Sequence, residues 1–263
     1  MAAGGIAGCL GALLGLGGGV FLVPFLNVVL GLPFKVAAAV SLMTVIATSS
    51  TVSAASAGRN LINLRLGMVL EVASAAGGVM AGITLHYVPE RVLFLGFSVV
   101  ALTIAAIMMT RLDKRNVLPA GVDPGLLGGS FYDEESRRDV VYRVRRLPVA
   151  LAASFVAGNV SGFLGIGGGI LKVPVLNAWC GVPMRAAAAT SALMIGVTAV
   201  ASAPIHFANG YILPPLAAAA VLGVLVGSRA GMWFGGRARA KWLKVLMIAV
   251  LVTVATVYWF KTP

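Results

Sequence analysis

One stretch of the chain occurs twice, and this duplication limits the fold more than any other feature. Residues 14–27 read LGLGGGVFLVPFLN and residues 164–177 read LGIGGGILKVPVLN. The second copy lies 150 positions after the first, and 17 of 37 positions are identical between 7–43 and 157–193. The match continues through Gly31/Gly181, Pro33/Pro183, Lys35/Arg185 and Ser41/Ser191. Whatever one copy builds, the other builds again, around a run of glycines that burial of a membrane helix does not require.

Composition sets the solvent. With 59% hydrophobic residues, 11% charged and a mean hydropathy of +0.98, the chain is too apolar for a soluble domain and reads as a multi-pass membrane protein. Its net charge of +12 would point to nucleic acid in a soluble protein. Here most of that charge lies between apolar segments, where orientation in a bilayer accounts for it, so nucleic acid is not expected as a partner. Cys9 and Cys180 sit in apolar segments without partner spacing, and neither a metal site, a cofactor nor a disulfide is expected. The N-terminus lacks the basic region of a signal peptide.

Taken in order, residues 2–31 are apolar but broken at Gly15 to Gly19. This leaves two pieces, each about half of the ~20 residues a crossing helix needs. Spans follow at 36–57, 67–87 and 91–110. Residues 111–146, with eight basic and six acidic residues, form the one strongly polar stretch and read as a solvent-exposed cytoplasmic linker. The pattern then restarts with half-helices at 148–164 and 169–180 and spans at 186–207, 211–234 and 242–260. The chain thus divides into repeat one (1–110), the linker (111–146) and repeat two (147–263), integrated in one membrane domain.

The basic residues test whether the glycine unit crosses or turns back. If every segment crosses, 11 lie inside and 7 outside; if each glycine unit is a re-entrant hairpin, the division becomes 15 against 3. The positive-inside rule favours the hairpin. Three crossings per repeat is an odd number, so the halves sit in opposite orientations. The expected fold is all-α, with two inverted-topology repeats, each a glycine-broken half-helix hairpin plus three transmembrane helices, the architecture of many secondary transporters.

Irregular backbone at membrane depth is tolerated where protein or a water-filled cavity satisfies it. Successive glycines allow a tight turn that aims several N–H groups at one point, and the half-helix that follows adds the positive end of its dipole, which suits an anion. The bland alternative is close helix packing. It applies to Gly223, Gly227, Gly231 and Gly235, a ladder on one helix face that suits a second protomer, hence a homodimer, as well as a neighbouring helix. A dinucleotide fingerprint is excluded because Val20 and Ile170 replace its last glycine.

Polar residues at membrane depth narrow the site. Ser41, Thr44, Thr48 and Thr51 make one stripe, and Ser191, Thr198, Ser202 and His206 make its counterpart. Each stripe is either a cavity wall or a set of hydroxyls bonded back to their own helix. Asn27 and Asn177 are candidate cavity residues, since an amide facing lipid is costly. Lys172 has no counterpart charge, because repeat one carries Leu22 there, and it is either a fixed cation for an anionic substrate or a snorkelling interfacial lysine. Arg229 lies inside a span, with Glu71 as its partner, as a proton-coupling carboxylate or as an interfacial residue. His86 reads as interfacial and His206 as a candidate proton-linked gate. The expected substrate site comprises Gly17, Gly18, Gly19, Asn27, Ser41, Gly167, Gly168, Gly169, Lys172, Asn177, Ser191 and Arg229, with one anion between the two glycine turns.

The doubled Gly-x-Gly-Gly-Gly with a proline five residues on, the segment ending in Gly-x-Pro and the small-residue helix after it resemble the sulfite exporter TauE/SafE family. The resemblance covers both repeats and leaves out the linker. It implies a carrier exporting small sulfur-containing anions, sulfite or organosulfonates, across a bacterial inner membrane. It further implicates Gly15, Gly17, Gly18, Gly19, Pro24 and Asn27 with Gly165, Gly167, Gly168, Gly169, Pro174 and Asn177. The expected partners are a small anion, the lipid bilayer and a coupling H+ or Na+. The alternatives are a carrier of another small anion and, from a second class, an anion channel. A membrane-embedded hydrolase using His206 is the third, disfavoured because no Gly-x-Ser-x-Gly element accompanies the two histidines.

Overall fold

A computed structural model describes residues 1–14, 17–58, 60–109, 123–133, 138–235 and 240–261. Repeat one comprises α1 (Ala2–Leu14), α2 (Gly19–Pro24), α3 (Phe34–Ala57), α4 (Leu64–Thr84) and α5 (Glu90–Met109). Repeat two comprises α6 (Leu147–Leu164), α7 (Gly169–Ala178), α8 (Met184–Ala208), α9 (Pro214–Gly235) and α10 (Ala240–Lys261). Pro24 lacks an N–H, and the backbone after it widens into a π-helical turn over Phe25–Val29. By length and composition, five helices can cross a bilayer: Phe34–Ser56, Leu64–Tyr87, Leu147–Leu164, Met184–Ala208 and Pro214–Trp233. α5 and α10 add helices of 20 and 22 residues. α6, expected as a half-helix, is 18 residues long and is one of the five, because nothing interrupts it before Gly165.

At the glycine unit the chain doubles back. A side chain on Gly18 would meet the carbonyl oxygen of Ala7 at 2.8 Å, so Gly18 lies against the middle of α1 rather than beyond its end. Gly168 lies in the same way against the carbonyl of Ala157, in the middle of α6. The reversals use left-handed backbone at Gly17 (φ 76°), Gly18 (φ 71°), Gly165 (φ 66°) and Gly167 (φ 70°), a region in which a side chain costs roughly 1–2 kcal/mol.

The main helix–helix contacts recur when the repeats are exchanged. α1 packs along α9 as α6 packs along α4, and α3 meets α8 at the centre. The closest approaches repeat at the 150-residue offset: Gly8 on Val224 and Gly158 on Ser74, Gly227 on Gly5 and Gly77 on Phe155. A Cβ at any of these glycines would strike backbone, so they let helices touch without side chains between. The Gly223, Gly227 and Gly231 ladder is therefore filled by α1, at Met1, Gly5 and Cys9, and is not the free face that would seat a second protomer.

Corresponding helices begin at opposite ends. At the start of α3, Phe34 N–H donates to Glu90 Oε1 (3.1 Å) and Lys35 Nζ to the His86 carbonyl (2.9 Å), which places it beside the end of α4. At the start of α8, Thr190 Oγ1 accepts from the Asn63 N–H (3.0 Å), which places it beside the beginning of α4. His86 is exposed and reaches the Tyr211 hydroxyl at 3.1 Å, as expected of a residue at a helix end. A T-shaped and stacked cluster of Phe34, Phe94, Phe97 and Tyr258 fixes α5 and α10 to the start of α3.

The linker departs from the expectation of an exposed connection and from a purely α fold. Its described part forms an antiparallel hairpin, β1 (Gly129–Asp133) with β2 (Arg138–Tyr142). Phe131, Val140 and Tyr142 are buried against Leu66, Leu70, Ala150, Leu176 and Ala187. Asn63 joins the two parts: its side chain caps α4 at Leu66 N–H (3.0 Å) and donates to the Leu127 carbonyl (2.9 Å) and the Tyr142 hydroxyl (3.1 Å). Burial pushes the Tyr142 phenol above its ordinary range, so it stays protonated there. Residues 111–122 and 134–137 of the linker lie outside the described residues.

Candidate functional site

The two glycine turns meet at the centre. Gly17 and Gly167 face the same two side chains, Val45 of α3 and Ile195 of α8, which are 150 positions apart and change roles on exchange of the repeats. Gly19 lies against Gly165, and Ser41 Oγ donates to the Gly165 carbonyl at 2.6 Å. Ser191 is buried beside Gly169 and has no hydrogen-bond partner among the described residues. The expected convergence of the turns is seen, but they are packed together: the cavity lined by Gly11, Gly17, Thr48, Ser49, Val52, Ala192 and Ile195 measures about 10 Å³. That is room for about one water, not for an oxyanion. The Gly169 N–H turns back to the Gly167 carbonyl in this conformation.

Asn27 and Asn177 do not point at the turns. Each donates through Nδ2 to the loop that follows its own half-helix, Asn27 to the Leu32 carbonyl (2.8 Å) and Asn177 to the Val182 carbonyl (3.0 Å). They brace the turns at Gly31 and Gly181 that lead into α3 and α8. The hydroxyl stripes divide. Thr44, Thr48, Thr51 and Ser202 bond back to their own helices, the bland reading, whereas Ser41 and Ser49 reach across to the other repeat. Arg229 is exposed on α9 and is not brought to the centre.

The charged centre lies one helical turn from the repeat-two glycines. Lys172, on the first turn of α7, is 2% exposed, and its Nζ lies 3.8 Å from Glu71 Oε2 of α4 and 3.4 Å from Thr198 Oγ1 of α8. It does not snorkel, and it is not unpaired. The Thr198 hydroxyl donates to Glu71 Oε1 at 2.7 Å, and Ser74 Oγ is 2.7 Å from it. This is the one ion pair among the described residues, and it joins the two repeats. Glu71 pairs with Lys172 and not with Arg229. It is the one polar side chain lining a groove of about 350 Å³ between α4 and α8, whose walls are Gly67, Met68, Val72, Ala75, Leu193, Met194 and Val197. His206 is buried against Gly162 at the far end of α8, eight residues beyond Thr198, so it stands apart from this cluster. Among the described residues no group of His, Cys, Asp and Glu could hold a metal.

Sequence reasoning missed the pairing because a contact between repeats has no spacing to read. The role of Ser74 had a local signal that went unused: with Glu71 it forms an i, i+3 pair on one helix face.

The fold and this centre define a multi-pass membrane protein built from two exchangeable glycine-turn repeats around one buried, charged cluster. Residues 1–258 match the family model described as "Sulfite exporter TauE/SafE", and the chain belongs to that family. It is 26% identical over 256 residues to "Probable membrane transporter protein YunE" of Bacillus subtilis, an alignment covering 95% of this chain and 92% of that protein. It is 24% identical over 263 aligned positions to "Probable membrane transporter protein MJ0441" of Methanocaldococcus jannaschii, covering 94% and 89%. No solved structure matches the chain.

Proposed function

We propose that the protein is a secondary transporter exporting small sulfur-containing anions, sulfite or organosulfonates, across the bacterial inner membrane. The observation that carries this reading is Lys172, a buried cation paired across the two repeats with Glu71. A charge in that position is expensive and marks a substrate or ion pathway. Lys172 lies one helical turn after the Gly167 to Gly169 turn, which meets the Gly17 to Gly19 turn across Val45 and Ile195, and Ser41 and Ser191 sit among these glycines. Exchange of the repeats, with α3 and α8 starting at opposite ends of α4, supports an inverted topology whose pseudo-twofold axis lies in the membrane plane.

The closed centre fits an occluded conformation. Alternating access would part Val45 from Ile195 and expose glycine N–H groups and the Lys172 ammonium to one side at a time. An oxyanion gains most from donors that are charged or fixed, and this centre offers both. The test is uptake of labelled sulfite or an alkanesulfonate into proteoliposomes, with protein-free vesicles as control. Saturable uptake, accelerated by unlabelled anion on the opposite side, is expected. Flux that never saturates and shows no counterflow would identify a channel instead.

A further inference from the structure

The Glu71–Lys172 pair has no counterpart at the positions related by the 150-residue offset. The residues at the 150-position offset are Val221 and Leu22, and Ser74 corresponds to Val224. Leu22 is buried in an apolar cluster to which both repeats contribute, among Val20, Val23, Leu164 and Ala220. The equivalent positions are thus both apolar, and buried ion pairs replaced by apolar residues often leave a protein as stable or more so. Stability therefore does not explain the charges.

The pair is also incompletely satisfied. Glu71 Oε1 accepts from Thr198, while Oε2 has Lys172 at 3.8 Å and no hydrogen bond. The ammonium has three protons, and its contacts in the structure are Thr198 at 3.4 Å and the distant carboxylate. A carboxylate oxygen without a donor can take a proton, and an ammonium with unused donors can take an anion. Other titrating groups stand off. α6, packed along α4, carries none; α8 contributes Thr198 here, with Arg185 at its start and His206 eight residues beyond; α4 itself has Arg65 six residues earlier; and Tyr142 of the hairpin reaches only Asn63.

From this we infer that Glu71 is the proton-coupling carboxylate and Lys172 the counter-ion of the substrate, so that a monovalent anion and Glu71 compete for one ammonium and each anion is carried with one proton. This inference rests on the transport reading above. In the empty protein the carboxylate neutralises Lys172. When an anion takes its place, a proton from water binds Glu71 Oε2, giving a neutral acid that keeps its Thr198 contact. Lys172 stays charged throughout, so the centre sums to zero both empty and loaded. A net charge would make passage through the low-dielectric core far costlier. Release reverses both steps, and the direction of net flow follows the sum of the anion and proton gradients, so that export runs when the outward anion gradient exceeds the inward proton gradient.

The experiment uses full-length protein in proteoliposomes with labelled methanesulfonate, a monoanion at every usable pH. At clamped membrane potential, a gradient of one pH unit, acid outside, should drive accumulation of the anion towards about tenfold. Changing the clamped potential at constant pH should leave the accumulation unchanged. Glu71→Gln imitates the protonated acid and should keep counterflow exchange while losing the pH-driven accumulation. Lys172→Ala should lose both, and Lys172→Arg should recover exchange. Accumulation that follows membrane potential in the wild-type protein, or that survives in Glu71→Gln, overturns the inference while leaving transport intact. Absence of saturable wild-type flux of sulfite and of methanesulfonate overturns the transport reading itself.

Discussion

Lys172 and Glu71 separate stability from function at the scale of single residues. Removing one partner strands a buried charge, whereas removing both does not. Lys172→Ala should therefore lower stability by about 3 kcal/mol, read as a lower thermal midpoint in detergent, and Glu71→Val should do the same. The double variant Glu71→Val/Lys172→Leu copies the Val221 and Leu22 of the other half. It should recover at least wild-type stability and yet carry no anion. A double variant that unfolds like the single ones would mean that the pair holds the repeats together. Anion affinity should fall by roughly tenfold in Lys172→Ala relative to a control such as Lys35→Ala, consistent with loss of one charge-assisted contact worth ~1.5 kcal/mol. Unchanged binding by calorimetry would move the anion elsewhere. Lys35 is a suitable control because it bonds the His86 carbonyl at a helix end.

Among the elements, glycines fall into two classes that the sequence alone shows as one. At Gly17 a Cβ would have ordinary contacts, 3.6 Å from Val45 and farther from Ile195, so the obstacle is the φ of 76°. At Gly158 a Cβ would run into the backbone of Ser74. Gly17→Ala should cost about 1 kcal/mol and leave expression intact while slowing transport. Gly158→Ala should push α6 off α4 and sharply reduce the yield of folded protein, measured by size-exclusion chromatography with fluorescence detection. Equal loss of folded protein in both variants would show that the turn is only a packing device. The hairpin belongs to this scale as well. Phe131, Val140 and Tyr142 form its buried face, but neither GSFYD nor RDVVY alternates apolar with polar residues, so no strand was legible among the charges of the linker. Phe131→Ala removes a side chain that is 5% exposed and should cost about 3 kcal/mol, checked by thermal unfolding in detergent. A negligible cost would mean that the hairpin is not docked.

For the whole molecule, the duplicated motif carried most of what could be read: two repeats, glycine turns that meet, and Ser41 beside them. The identity of the partner for each buried charge was not legible, because α4 and α7 come together only when the two halves are packed. The same packing makes a claim about orientation that charge counting alone supports less directly. The start of α8 lies with the hairpin at the Asn63 end of α4, while the start of α3 lies with Tyr211 and His86 at its other end. If α4 crosses the bilayer, those ends are on opposite sides, and the hairpin end is the one carrying Arg138, Arg143, Arg145, Arg146 and Arg185. The positive-inside rule then puts the hairpin in the cytoplasm. With Cys9 and Cys180 replaced, single cysteines at Tyr132 and Arg185 should be protected from a membrane-impermeant maleimide in intact spheroplasts and react after lysis. Cysteines at Tyr87 and Gly210 should react before lysis. Tyr132 and Tyr87 are 56% and 81% exposed, so their protection or reaction reports sidedness rather than burial. Labelling of 132 and 87 from the same face would mean that α4 does not cross and that the two repeats are not inverted.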